Sequence, residues 1–191
     1  MANTSRLVFV TGGVRSGKSS FAERLAEMES IRTEGSLHYI ATGVNSDSEM
    51  AKRIVRHQQE RTNSELDWNT WEQSHNVGNL APKFSNKDII LLDCLTTLLN
   101  NEFFTRHQDW DEKFQLEVQD WILTGIDQLR EKCHTLIVVS NELLHEGLLN
   151  NDLVFIYGRL IGRLHQQLVT NADQAYLIES GIPILMKGER R

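Results

Sequence analysis

"GGVRSGKSS", residues 12–20, lies between the apolar run "LVFVT" (7–11) and the helix-like stretch "FAERLAEM" (21–28). Glycine costs roughly 0.5–1 kcal/mol relative to alanine inside a helix or strand, so three glycines around one lysine belong to a loop whose backbone has a special task. Gly12, Gly17, Lys18 and Ser19 satisfy the spacing G-x-x-x-x-G-K-[ST] within the strand–loop–helix frame that gives the pattern meaning. In such a loop the backbone amides curl around phosphate oxygens and the helix that starts there adds its positive end. Lys18 would reach the β and γ phosphates, and the Ser19 hydroxyl would hold Mg²⁺. The competing reading is a glycine-rich turn that matches by accident, with odds of about 1% at average residue usage.

Working outward, the apolar period keeps switching. Runs at 7–11, 37–42, 89–93, 135–141 and 175–180 read as buried parallel strands. Between them, 19–29 places Phe21, Ala22, Leu25 and Met28 on one helical face. Residues 110–132 align Phe114, Val118, Trp121, Ile122, Ile126 and Leu129, and 152–169 align Leu153, Tyr157, Leu160, Ile161, Leu164 and Leu168. Strands alternating with helices predict an α/β chain with the P-loop NTPase fold, a mostly parallel central sheet with helices on both faces. Residues 1–191 are expected to form a single nucleotide-binding domain. The polar, turn-rich stretch 62–88, with a candidate short strand at "WNTWE" (68–72), reads as a flap or insertion.

The net charge of −6 and the lack of a basic cluster beyond the terminal "GERR" argue against nucleic-acid or membrane-surface partners. A small anionic ligand must then be held by local positive charge. Cys94 and Cys133 lack metal spacing and read as reduced, buried and inert. No apolar stretch approaches eighteen residues, so a cytoplasmic, soluble protein is expected.

Sites of this kind draw a second metal residue from the end of a neighbouring buried strand, and "IILLD" supplies Asp93. The alternative is that Asp93 caps the helix beginning near Leu95. In "DSEMAKRIVRHQQER" (47–61) Glu49, Arg53, His57 and Arg61 are four apart and share a helix face. Two guanidinium groups would keep His57 neutral, with a free ring nitrogen as a nucleophile requires, and could grip phosphates. A solvated polar helix face is the other reading. "SNELLHEG" stands where switch GTPases usually carry Asn-Lys-x-Asp, which makes a switch GTPase a poor fit.

"VTGGVRSGKSSFAE", "YIATG", "EMAKRIVRHQQER", "WNTWE", "IILLDCLTTLLNN", "VVSNE" and "GRLHQQLVTNADQAYLIESGIP" occur here in an order that resembles the adenosylcobinamide kinase/adenosylcobinamide-phosphate guanylyltransferase family over nearly the whole chain. The phosphate loop is widely shared; "EMAxRI" before the histidine and "GRLxQxL…AD" before the final strand are far more specific. The resemblance implies phosphorylation of the aminopropanol hydroxyl of adenosylcobinamide, by ATP or GTP. A guanylyl group would then pass from GTP through a histidine to that phosphate, giving adenosylcobinamide-GDP. It places the histidine at His57. It places GTP contacts at Gly12, Gly13, Val14, Arg15, Ser16, Gly17, Lys18, Ser19, Thr42, Gly43, Val44, Gln58, Gln59, Glu60, Arg61, Glu72 and Asp93. Family members are homo-oligomers, with a trimer described.

Departures from the family pattern fall at 143–149, where a Gly-x-Gly stretch and a Pro are usual, and at Gly158 and Arg159, where an Arg-Asp pair is usual. Gln58 and Gln59 also stand where basic residues are common. Three functions therefore stay open: the bifunctional enzyme, a simple small-molecule kinase, and a non-catalytic nucleotide-binding protein on the same fold.

Overall fold

The computed structural model describes residues 5–43, 66–105, 110–142 and 152–189. Its strands are β1 (Arg6–Gly12), β2 (Leu37–Ala41), β3 (Trp68–Glu72), β4 (Ile89–Asp93), β5 (Thr135–Asn141), β6 (Gln174–Glu179) and β7 (Ile182–Lys187). The helices are α1 (Lys18–Thr33), α2 (Leu95–Thr105), α3 (Glu112–Glu131) and α4 (Asp152–Asn171), with a 3-10 helix at Val77–Lys83. The seven strands form one sheet in the order β3-β2-β4-β5-β1-β6-β7, all parallel until β7 returns antiparallel to β6.

The central strands are apolar at successive positions because both of their faces are covered. Leu7 and Phe9 of β1 join a core with Leu92, Val138 and the inner faces of α2, α3 and α4. Val8 and Val10, pointing the other way, join Ala22 and Ala26 of α1. This period of two along β1 is what puts helices on both sides of the sheet. Asp111 caps α3 by accepting the Phe114 N–H at 2.8 Å. No helix among the described residues is long and apolar enough to cross a membrane.

Three expectations change. The stretch 62–88, expected as a flap or insertion, is over its described residues 66–88 part of the sheet and core. β3 pairs in parallel with β2 from Leu37↔Trp68 to Ala41↔Glu72. Val77, Leu80, Ala81 and Phe84 are buried in the larger core. Trp71 Nε1–H donates to His38 Nδ1 at 3.2 Å, and Phe84 packs on both rings. The polar composition misled because four apolar side chains and one indole suffice to anchor a short 3-10 turn. Met28 and Trp121, expected on buried helical faces, are exposed. On α1 the inner face is centred on Ala22, Ala26 and Glu29, because Arg6 of β1 draws Glu29 inward at 2.6 Å. β7 was not expected at all; its alternation is exposed and half-buried, as an edge strand allows.

Gly78 sits against α3 so closely that a β-carbon there would lie 3.0 Å from the Gly125 Cα. Gly78→Val is therefore expected to destabilise the protein by about 1–3 kcal/mol, read from the urea midpoint. A change below about 0.5 kcal/mol, the usual surface value, would return this segment to the status of a flap.

Candidate nucleotide site

The phosphate loop takes its shape from what surrounds it. β1 ends at Gly12, level with Asn141 on β5 and Ile178 on β6. A β-carbon on Gly12 would lie 2.5 Å from the Ile178 carbonyl oxygen and 2.7 Å from Ser16 Oγ, so only glycine fits. Arg15 (φ 60°) and Gly17 (φ 91°) are left-handed, which turns the chain tightly between strand and helix. Lys18, 6% exposed, donates from Nζ to the Gly13 carbonyl at 2.9 Å. Val14 and Arg15 are exposed on the rim.

The far side of the loop is held by the β6–β7 turn. Ser180 and Gly181 take φ 50° and 82°, the left-handed values of a two-residue hairpin turn. The Gly181 N–H donates to the Ser16 carbonyl at 2.8 Å. A β-carbon on Gly17 would meet the Gly181 Cα at 3.4 Å. "ESGIP" carries the signal for this turn, a Ser-Gly pair between two apolar runs.

β1 leads through α1 to β2 on one side of the sheet, and neighbouring β5 leads through α4 to β6 on the other. Connections that part in this way open a crevice at the strand carboxyl ends, the usual ligand position in such sheets. Gly12, Thr42, Glu72, Asp93 and Asn141 all fall at that edge. Asp93 Oδ2 accepts the Tyr39 hydroxyl at 3.0 Å. Burial pushes the Cys94 thiol up, the Asp93 charge adds to this, and the Lys18 charge opposes it. Lys18 and Asp93 thus act on the same small volume, with Ser19 on the first turn of α1. Among the described residues no group of three or more His, Cys, Asp or Glu is arranged to hold a metal. One carboxylate and one hydroxyl suit Mg²⁺, which keeps several waters and takes substrate phosphates as further ligands.

Other expected contacts are placed differently. Thr42 is fully buried; its hydroxyl donates to the Cys94 carbonyl and accepts the Cys94 N–H, both at 2.8 Å, so its side chain ties β2 to β4. Glu72 is exposed at the end of β3, level with Ala41 and so two strands from Asp93, roughly 10 Å at normal strand spacing. Gly43 follows Thr42 at the same edge. Val44, His57, Gln58, Gln59, Glu60 and Arg61 lie outside the described residues, as does 143–149. Gly158 is buried, and Arg159 Nη2 donates to Gln115 Oε1 at 3.0 Å.

Sequence reasoning missed a polar chain behind the crevice. The Asn141 N–H donates to Thr96 Oγ1 at 2.8 Å; Thr96 Oγ1 meets Ser140 Oγ at 3.1 Å, and Ser140 Oγ meets His165 Nε2 at 2.8 Å. With Thr96 already accepting from Asn141, each hydroxyl gives its hydrogen to the next member, and His165 Nε2 accepts. That direction needs a neutral imidazole. Burial lowers the His165 pKa from 6.5 to about 4. Between those values the unfolded chain takes up a proton that the folded chain refuses, so stability falls as pH drops from about 6.5 to 4 and is complete above it. His165→Asn, whose amide oxygen can still accept from Ser140, is expected to flatten the decline in Tm between pH 7 and pH 4.5. An unchanged slope would mean that His165 is charged in the folded state.

The family described as cobinamide kinase / cobinamide phosphate guanyltransferase (CobU) matches residues 8–186. The bifunctional adenosylcobalamin biosynthesis protein CobU of Escherichia coli strain K12 is 31% identical over 188 residues, spanning 95% of this chain and 99% of that protein. CobP of Pseudomonas aeruginosa, described in the same words, is 30% identical over 181 residues, spanning 94% and 96%. Among solved structures, an ATPase domain aligns with 97% of this chain and 78% of its own at TM-score 0.52 and 12% identity. The flagellar accessory protein FlaH of Methanocaldococcus jannaschii aligns with 97% and 80% at TM-score 0.50 and 12% identity. At that identity the likeness is one of fold alone.

Proposed function

The chain belongs to the cobinamide kinase / cobinamide phosphate guanyltransferase family, and we propose that it carries out both reactions on adenosylcobinamide, in the cytoplasm and as a homo-oligomer of the kind the resemblance implies. In the first, the aminopropanol oxygen of the corrinoid attacks the γ-phosphorus of ATP or GTP. An O–P bond forms, the β–γ bridge breaks, the hydroxyl proton is lost and the nucleoside diphosphate leaves. In the second, a ring nitrogen of His57 attacks the α-phosphorus of GTP and expels pyrophosphate. The corrinoid phosphate oxygen then takes the guanylyl group from nitrogen, giving the GDP-linked product and restoring His57.

The observation that carries this reading is the extent of the family match, 8–186, which takes in both the phosphate loop and the segment of His57. The loop backbone would hold the phosphates, with Lys18 exchanging the Gly13 carbonyl for phosphate oxygens. Ser19 and Asp93 would hold Mg²⁺, which neutralises charge on the phosphates. Arg53 and Arg61 would keep His57 neutral and offset the charge of the attacked phosphate. The departures at 158–159 leave the phosphate loop and Asp93 untouched.

Lys18→Ala is expected to lower both reactions by orders of magnitude while circular dichroism stays that of the wild type. Turnover near normal would remove the loop from the mechanism. GTP labelled at the α-phosphate, mixed with the protein without corrinoid, should leave label on the chain, labile to acid and stable to alkali. His57→Ala should lose that label and all guanylyl transfer yet still phosphorylate the corrinoid. A labelled His57→Ala protein would assign the nucleophile elsewhere. Corrinoid phosphate without any GDP-linked product from the wild type would leave a simple kinase.

A further inference from the structure

Phe103 of α2 is fully buried, yet it carries a set of rings that are not. Trp110 stacks on Phe103 at 6.2 Å and 20°, and Tyr157 of α4 stacks on Phe104 at 6.1 Å and 21°. Phe104 and Trp110 meet at 6.4 Å and are each 42% exposed. Val154, one turn before Tyr157, is 44% exposed. The result is a flat apolar platform in which two pairs of rings are held nearly parallel.

Its position ties it to the crevice. The Tyr157 hydroxyl donates to the Thr96 carbonyl at 2.9 Å, and Thr96 takes the Asn141 N–H beside the phosphate loop. Phe103 and Phe104 lie seven and eight residues further along α2, roughly 10–12 Å at 1.5 Å per residue. The arm of cobinamide that bears the reacting hydroxyl, a propionamide joined to aminopropanol, runs to about eight bonds, on the order of 10 Å when extended. A ligand seated on the rings could therefore set its hydroxyl in the crevice without leaving the platform.

We propose that the Phe104–Trp110–Tyr157 platform seats the corrin body of cobinamide, with the aminopropanol arm directed toward Lys18 and Asp93. The chemistry fits this occupant. A corrin is a broad, nearly flat macrocycle whose faces and methyl-bearing rim are apolar, while its carboxamides stay at the edge where water reaches them. Stacked aromatic rings offer such a body a large contact area with little conformational freedom to lose. The inference rests on the proposed corrinoid chemistry and names the surface that serves it.

The test uses the full chain with cobinamide and GTP. Phe104→Ala and Trp110→Ala remove half-exposed rings and leave Phe103 in the core, and the double variant is expected to raise the cobinamide KM at least tenfold. The KM for GTP should not move. Trp110→Phe, which keeps a flat ring, should stay within about threefold of wild type in cobinamide KM but lose part of the tryptophan quenching that cobinamide produces. If one alanine variant does not fold, the other carries the same comparison. An unchanged cobinamide KM in a folded alanine variant overturns the platform while leaving the family chemistry intact. A smaller oligomer with unchanged cobinamide KM also overturns it, by assigning the rings to a contact between copies. A wild type that neither binds nor phosphorylates cobinamide overturns the proposed function, and the platform with it.

Discussion

Gly12 has space for a hydrogen and nothing larger, and the rest of the site depends on that. Its missing β-carbon lets the Ile178 carbonyl come within 2.5 Å of where that atom would stand, which allows β6 to pair with β1 through the last residue of the strand. With β6 in that register, the hairpin turn after it overhangs the loop and Gly181 can bond to Ser16. Gly17 completes the contact, because its backbone is left-handed and its bare Cα faces Gly181. These glycines, usually explained by the approach of phosphate, serve here first as a packing surface between two parts of the sheet. A loop braced in this way loses little conformational freedom when an anion arrives, which favours binding.

The electrostatics follow from the same geometry. A chain of net charge −6 repels nucleotides at long range, so attraction must come from a few groups at short distance. Lys18 is nearly buried, and one of its bonds goes to a neutral carbonyl. An anionic phosphate oxygen is a stronger acceptor for an ammonium than an amide carbonyl, so exchanging one for the other is favourable with no further rearrangement. Asp93 lies in the same volume, and its Tyr39 bond leaves one carboxylate oxygen for the cation that such phosphates bring.

The sequence made most of the sheet legible. Five strands show as short apolar runs because strands buried on both faces have no polar alternation, and the helices between them show the period of 3.6. The phosphate loop was legible because its function demands particular residues at fixed spacing. Three features were not. β3 and the 3-10 helix are held by Trp71, His38 and Phe84, a three-ring contact between distant segments that no local pattern announces. Thr42 was expected at the nucleotide, but a buried hydroxyl is satisfied by whatever backbone faces it, and here that is Cys94. His165 sits within an otherwise helical polar run, and only the fold brings it to Ser140 across the core face of β5.

α4 touches the catalytic edge through two neutral groups, and this limits what can disturb the edge. Tyr157 holds the first turn of α2 by its Thr96 carbonyl, and His165 holds the end of β5 by Ser140. Both are buried, and burial moves their titrations in opposite directions. The Tyr157 hydroxyl is pushed well above its usual range, while the His165 imidazole is lowered to about 4. Across the wide interval between them neither group changes charge, so neither hydrogen bond is made or broken by a proton. The phosphates that the crevice is suited to hold do change charge within that interval. A scaffold of neutral, buried bonds lets the protonation of the ligand vary while the positions of β5, α2 and the aromatic platform above them stay fixed.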